Sequence, residues 1–187
     1  MKATMTTLVK HLLIVGLSFL PNFLSGQTTQ LQQENFESAS TWTASGATFT
    51  TTNAYNGTNK AVIPVNGSSI TSPVINTTGY NKIDVRFFVK SNNANAGDKI
   101  TLQYRDNSLA SWSDVRVVEK GTPSGISYRD INDNTNYHAL VGTIFSTSST
   151  FAATSQFRFV TTSGSSSRQF YIDYITVSGT KDNTIAT

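Results

Sequence analysis

The stretch Phe170-Tyr171-Ile172-Asp173-Tyr174-Ile175-Thr176-Val177 decides the fold of this chain. Its apolar residues alternate with others as they do in a β-strand, but the alternation changes phase in the middle. Phe170 and Ile172 share one face, and under strict alternation Ile175 and Val177 lie on the other face. Two interpretations stay open. If all four point into the core, a β-bulge absorbs one extra residue at Asp173-Tyr174. Otherwise, the strand is buried on both sides.

A second segment near the other end of the chain has the same character. Glu34-Asn35-Phe36-Glu37, followed by Trp42, is predicted to be a strand that also carries carboxylates beside apolar residues. A buried, unpaired carboxylate is costly, so it needs a cation or a dense set of hydrogen bonds. We therefore expect the two acidic segments to lie side by side and to share one hard cation.

Most of the remaining patterned segments have a period of two, which is typical of antiparallel strands with one buried face. Turn residues such as Asn66-Gly67 separate them, and no stretch has convincing helical spacing. The longest predicted loop runs from Gly121 to Asn136. The predicted strands are Ala47–Thr52, Lys60–Val65, Ser69–Ile75, Ile83–Lys90, Lys99–Arg105, Asp114–Glu119, Tyr137–Phe145 and Gln156–Phe159.

The chain is predicted to be one exported domain. Residues 1–26 have a positive region, a short apolar core and small residues before the expected cleavage point, as in a signal peptide. The apolar run is too short to span a membrane, which takes ~20 residues. Residues 27–180 then form a single domain and 181–187 a flexible tail. We expect a secreted or cell-surface protein without a membrane span.

Composition excludes several classes of function. The chain has no cysteine, which rules out thiolate zinc sites and cysteine nucleophiles. Its formal charge of +3 falls to +1 once Lys2 and Lys10 leave with the signal peptide, and no run of basic residues occurs. Nucleic acid is therefore not an expected partner, because it would need a basic face.

Taken together, Phe36-Glu37 with Trp42, the block Ser69–Ile75 and the closing Phe170–Val177 resemble the modules of secreted bacterial MAM-like and carbohydrate-binding proteins. The resemblance implies an all-β fold, a jelly-roll β-sandwich of two antiparallel sheets. It also implies a structural calcium ion held by Glu37 and Asp173 together with Glu34. The alternative is that the glutamates are solvated at an edge and that Asp173 caps backbone amides.

Catalysis is not expected. After removal of the signal peptide the only histidine is His138, which is interpreted as an ordinary half-buried strand residue, and a lone histidine does not build a zinc site or a triad. Glycosidases need two suitably spaced carboxylates, and none of the loop aspartates lies in a recognisable motif.

Binding is the expected class of function, with a polysaccharide or surface glycan as the partner. Sugar rings stack on Tyr or Trp, and charged groups reach the hydroxyls. Trp112 has an alternative role as a hairpin residue that packs back on its own module. Arg86, Phe88, Gln103, Arg105 and Arg158 are predicted to share the wet face of one sheet. An adhesive module with a protein partner is the main alternative, and a glycan-degrading enzyme a weaker one. The candidate ligand-binding residues are Tyr55, Arg86, Arg105, Trp112, Tyr128 and Tyr137.

Overall fold

A computed structural model describes residues 26–38, 40–121, 131, 134–146, 151–162 and 164–181. Most of the predicted signal peptide, candidate residue Tyr128 and the tail beyond Lys181 lie outside these residues. Where the chain is described it contains no helix. In particular, those residues include no helix that is long and apolar enough to cross a membrane.

The described residues form eleven strands in two antiparallel sheets. The six-stranded sheet has the order β3-β4-β11-β6-β9, and β1 also pairs with β11. The five-stranded sheet has the order β2-β5-β10-β7-β8. The strands are β1 (Gln27–Glu34), β2 (Thr43–Ser45), β3 (Thr48–Thr51), β4 (Asn59–Pro64), β5 (Ser69–Thr71), β6 (Lys82–Asn92), β7 (Lys99–Arg105), β8 (Ser113–Glu119), β9 (His138–Phe145), β10 (Gln156–Thr161) and β11 (Gln169–Lys181).

The core lies between the two sheets, because each long strand buries alternate residues. In β6, every second side chain from Ile83 to Ser91 is buried, and β7 and β10 repeat the pattern. Phe87 of one sheet meets Phe159 of the other edge to face, with ring centroids 4.8 Å apart. Trp42 packs beside Phe159 and is only 2% exposed, so this motif tryptophan belongs to the core. The predicted two-sheet jelly-roll sandwich is confirmed.

The phase change in β11 is a β-bulge. Asp173 pairs with Phe88 and Thr176 with Arg86, so Tyr174 and Ile175 together lie opposite one residue of β6. Tyr174 has φ of 46°, a left-handed conformation that non-glycine residues rarely adopt. The extra residue keeps the apolar residues on both sides of it in the core, where Ile172 and Ile175 are both fully buried. The bulge interpretation of the sequence is therefore confirmed.

The first strand was predicted too late in the chain. The strand that pairs with β11 is Gln27–Glu34, in the register Glu34 to Ile175, whereas the motif after Glu34 is a turn with Phe36 at φ of 60°. The Gln- and Thr-rich residues of β1 lack alternation because most of them are exposed. The two ends of the domain are nevertheless neighbours, as the sequence predicted.

Candidate functional site

The buried carboxylate of Asp173 holds the loop between β3 and β4. One oxygen, Oδ2, accepts hydrogen bonds from the backbone amides of Tyr55 at 2.7 Å and Asn56 at 2.9 Å, and Oδ1 accepts one from Tyr174 at 2.7 Å. Burial raises the pKa of Asp173, the three amides oppose that rise, and the nearby Glu37 adds to it. Asp173 points to this side because it lies opposite Phe88 on the outer face of the sheet, directly before the bulge, and the β3–β4 loop covers it.

Glu37 holds the second half of the same loop. Its Oε1 accepts hydrogen bonds from the amides of Thr58 at 2.8 Å and Asn59 at 2.7 Å, and these bonds, chiefly that of Asn59, lower the pKa of Glu37. Gly57 lies between Asn56, which Asp173 holds, and Thr58, which Glu37 holds. Its φ is 73°, and a Cβ atom there would be 2.4 Å from Cδ of Glu37. Only glycine allows so close an approach. We call Glu37 and Asp173 the carboxylate clamp.

Glu34 does not join the clamp. Its Oε1 accepts the amide of Phe36 at 2.7 Å, and its Oε2 accepts donors from Ser40 and Thr41. All of these donors belong to the turn that follows Glu34 itself. The structure therefore brings two of the three predicted calcium ligands together and leaves the third closing the β1–β2 turn.

The clamp fits a hard cation in its chemistry. Its donors are all oxygen atoms, which Ca²⁺ prefers, and its two negative charges lie close enough for Glu37 to disfavour ionisation of Asp173. The described residues contain no group of three or more acidic, histidine or cysteine side chains that could hold a metal. Backbone carbonyls would therefore have to complete the coordination.

A buried lysine also lies near the clamp. Lys60, 2% exposed, donates a hydrogen bond to the carbonyl oxygen of Thr52, and its Nζ lies 4.4 Å from the ring centroid of Tyr171. Burial lowers the pKa of Lys60, the charge of Lys90 lowers it further, and Asp173 opposes both. Lys60 thus adds positive charge at the base of the clamped loop.

The clamped loop presents Tyr55 on the outer face of the six-stranded sheet. Its ring lies parallel to that of Phe88, with centroids 3.6 Å apart and an angle of 13° between the planes. Tyr55 is still 50% exposed. An aromatic ring that is fixed in place and half open to solvent has the geometry that stacking on a sugar ring requires.

Tyr137 and Tyr174 extend this surface. Tyr137 meets Tyr55 edge to face at 5.8 Å and donates a hydrogen bond to the carbonyl oxygen of Asn53 at 2.9 Å. Burial raises the pKa of Tyr137 well above its ordinary value. Tyr174 meets Phe88 edge to face at 6.3 Å. We call Tyr55, Phe88, Tyr137 and Tyr174 the tyrosine platform.

Arg86 lies next to the platform. It is two residues from Phe88 on the same outer face of β6, and it is exposed. Together with Ala139, Leu140 and Val141 of β9 it lines a shallow pocket. The guanidinium group therefore offers hydrogen-bond donors beside the aromatic rings. Lys90, at 5.9 Å from the Tyr137 ring centroid, adds a second cation.

The other candidate residues lie on the opposite side of the molecule. Arg105 and Arg158 project from the outer face of the five-stranded sheet, and each guanidinium carbon is 4.4 Å from the ring centroid of Trp112. The prediction that Arg86 and Phe88 share one wet face with Gln103, Arg105 and Arg158 is wrong. The reason is that β6 and β7 belong to different sheets, which alternation alone does not reveal.

Two contributors to the platform were missed in the sequence. The sequence places Tyr174 in the phase change of β11 and does not show that its ring meets Phe88. Lys90 ends the predicted strand Ile83–Lys90, a position that predicts no binding role. Neither has a local signal, because both become relevant only through their neighbours on other strands.

No protein-family model and no curated protein matches this sequence. Solved structures do match. One is the CBM22-1 xylan-binding domain of Xyn10C from Paenibacillus barcinonensis, with a TM-score of 0.59 and 14% identity over 84% of this chain and 98% of that chain. Another is the K3 cleaved adhesin domain of Lys-gingipain from Porphyromonas gingivalis, with a TM-score of 0.58 and 8% identity over 80% and 99%.

A third is the carbohydrate-binding module CBM6cm-2 of Cellvibrio mixtus lichenase 5A, solved in complex with cellotriose. Its TM-score is 0.51 and its identity 14%, over 84% of this chain and all of that chain. At identities this low the likeness establishes the fold alone. The chain is similar in architecture to carbohydrate-binding modules, and the resemblance to MAM-like domains stays a prediction.

Proposed function

We propose that this protein is a secreted, non-catalytic module that binds a polysaccharide or surface glycan on the tyrosine platform. The observation that carries the proposal is the exposed ring of Tyr55, held parallel to Phe88 in a loop that the carboxylate clamp fixes. A ring that is already ordered loses little conformational entropy when it binds. The solved structures with the same fold include modules whose names describe binding to xylan and cellotriose.

Each residue of the proposed site has a different role in binding. Tyr55 supplies the stacking face, Tyr137 and Tyr174 border it, and Arg86 donates hydrogen bonds to sugar hydroxyls. Apolar area with a few polar groups at its edge is the usual composition of a sugar site. A protein partner and the role of Tyr128 remain predictions from the sequence.

We also propose that a calcium ion strengthens the carboxylate clamp. Glu37 and Asp173 would hold it, and it would supply positive charge between the two carboxylates, where Glu37 disfavours the ionisation of Asp173. The clamp would then hold the β3–β4 loop, and with it Tyr55, more firmly.

Affinity gel electrophoresis tests the glycan proposal. The protein is run through gels that contain xylan, β-glucan or other cell-wall and algal polysaccharides. We expect retardation by one polymer class, and about tenfold weaker binding in Tyr55→Ala, since loss of a stacked ring costs ~1 kcal/mol or somewhat more. Tyr55→Phe keeps the ring and is expected to keep most of the affinity.

Phe145→Ala is the matched control. Phe145 is 52% exposed, almost the same as Tyr55, and lies on the same outer sheet face at the far end of β9. We expect its affinity to equal that of the wild type. Equal loss in Tyr55→Ala and Phe145→Ala, or no retardation by any polymer, would contradict the proposal. Release of reducing ends from the bound polymer would instead identify an enzyme.

A further inference from the structure

The outer face of the five-stranded sheet carries two arginines, Arg105 and Arg158, that form no salt bridge with a described residue. In the pairing of β10 with β7, Gln156 lies opposite Arg105 and Arg158 opposite Gln103, so the two arginines lie on one diagonal of a square. Arg105 donates through Nε and Nη2 to Oε1 of Gln156, and Arg158 donates in the same way to Oε1 of Gln103. Both partners are neutral amide oxygens.

The charges are close together and uncompensated at short range. Neither arginine forms a salt bridge with any residue that the structure describes. Burial lowers the pKa of Arg158, Arg105 lowers it further, and Asp114 opposes the effect. Asp114 is linked to Arg158 through Gln103: the Oε1 of Gln103 accepts from Arg158, and its Nε2 donates to Oδ1 of Asp114 at 2.7 Å. An anion placed between like charges would relieve their repulsion.

Trp112 holds the two guanidinium groups in place. Both lie 4.4 Å from its ring centroid, which is within the range of cation–π attraction. The loop before Trp112 is tied to β7 by a hydrogen bond from Nη1 of Arg105 to the carbonyl oxygen of Ser108 at 2.9 Å. The same loop exposes Leu109 almost completely, at 96%. Fixed cations thus lie beside an apolar loop tip.

We propose that Arg105, Trp112 and Arg158 form a second site, separate from the tyrosine platform, that binds the anionic group of an acidic polysaccharide. The planar fork of a guanidinium matches two oxygens of a carboxylate or sulfate. About half of the N–H donors of the two groups take no acceptor among the described residues, so they can donate to a ligand. The choice of a polysaccharide as the carrier rests on the proposed function, and Leu109 offers apolar area for a sugar ring.

Affinity gels with acidic polymers test this site. Polygalacturonate and alginate carry carboxylates, a carrageenan carries sulfates, and a neutral β-glucan carries neither. We expect retardation by a carboxylate or a sulfate polymer, which identifies the source of the anion. The Arg158→Gln and Arg105→Gln variants are each expected to bind about tenfold more weakly, and added salt weakens binding of the wild type.

Lys99→Gln is the matched control, because it removes one positive charge from the same face of β7. Lys99 lies roughly 20 Å along the strand from Arg105 and is already paired with Glu119 at 3.3 Å. We expect it to bind as the wild type does. Circular dichroism and the unfolding midpoint of each variant show that the fold is kept.

The outcomes separate this site from the tyrosine platform. Acidic-polymer binding that Arg158→Gln weakens and Tyr55→Ala preserves supports the second site, even if no neutral glycan binds. Acidic-polymer binding that Tyr55→Ala abolishes and Arg158→Gln leaves unchanged overturns it and supports the platform alone. Equal weakening by Lys99→Gln and Arg158→Gln, or no acidic polymer retained, also overturns it.

Discussion

At the scale of single residues, the candidate side chains differ in how far their rings and polar groups are already occupied by contacts within the protein. Tyr55 has a ring that is half exposed, whereas the hydroxyl of Tyr137 is committed to the carbonyl oxygen of Asn53. Tyr137 therefore supports the loop and borders the platform rather than offering a free polar tip. The ring of Trp112 likewise contacts two guanidinium groups. This agrees with the alternative role predicted for Trp112, a hairpin residue that packs on its own module.

The buried hydroxyl of Tyr137 predicts that the free energy of unfolding falls at alkaline pH. Burial raises its folded-state pKa, whereas in the unfolded chain it ionises near pH 10. The wild type should therefore keep its full stability below pH 10 and lose it progressively above, because only the unfolded state gains by ionising. Tyr137→Phe should be less stable by about 1 kcal/mol at pH 8, since it lacks one hydrogen bond.

Urea midpoints of the two proteins at pH 8, 10 and 11 measure this difference. The stability advantage of the wild type over Tyr137→Phe is expected to shrink above pH 10 and then to change sign. Other buried tyrosines titrate in both proteins and so cancel in the comparison. A gap that is constant over the whole range would contradict the role assigned to the hydroxyl.

At the scale of elements, the bulge of β11 links the core to the site. It keeps Ile172 and Ile175 inside on both sides of the irregularity. Asp173 precedes the bulge, lies opposite Phe88 on the outer face, and is buried there beneath the β3–β4 loop. If β11 kept strict alternation through Tyr174, Ile175 and Val177 would turn to the outer face, whereas Asp173 would lie on that face in either case. The bulge is thus needed for the sandwich, and it supports the clamp through the amide of Tyr174, which donates to Oδ1 of Asp173.

Deletion of Tyr174 is expected to separate these two roles. The far-UV circular dichroism spectrum should stay that of a β-protein, because the apolar face of β11 is preserved. Glycan binding should fall by about tenfold, since the deletion removes both the ring of Tyr174 from the platform and the amide that Tyr174 donates to Asp173. The Tyr174→Gly variant keeps the bulge, lacks only the ring and should bind more tightly than the deletion. Unchanged affinity in the deletion would show that neither the ring of Tyr174 nor the bulge contributes to the platform.

At the scale of the whole molecule, the two ends of the domain are joined through β1 and β11, and the clamp lies next to that junction. A ligand that binds only the folded state stabilises it by RT ln(1 + [L]/Kd), about 2.7 kcal/mol at a hundredfold excess over Kd. Calcium held by Glu37 and Asp173 would therefore stabilise the entire fold rather than the loop alone.

Excess EGTA is expected to lower the thermal midpoint by roughly 5–10 °C, from 2–4 °C per kcal/mol for a domain of this size. Added calcium should restore it. Glu37→Gln and Asp173→Asn should lose the response. Glu34→Gln should keep it, because the partners of Glu34 among the described residues all lie in its own turn. A midpoint that does not respond to chelator or calcium would count against the metal and leave the sandwich unaffected.

The sequence by itself determined most of the strands and which face of each strand is buried. Alternation identified the long strands, because burial of one sheet face imposes a period of two on each strand. The phase change in Phe170–Val177 indicated a bulge as one of two interpretations, and the register of β11 with β6 decided for it. The sequence also indicated that the first and last strands pair. It misplaced the first strand, because the exposed residues of Gln27–Glu34 have no core face to mark them.

Only the tertiary structure decided which side chains meet. It brought Tyr55 onto Phe88, assigned Arg86 and Arg105 to opposite sheets, and separated Glu34 from the clamp. The physical reason is that a strand's own pattern records which residues face water, not which strand lies beside it. Neighbours in a sheet are set by non-local pairing, so a site assembled from four separate segments leaves no continuous signal in the chain.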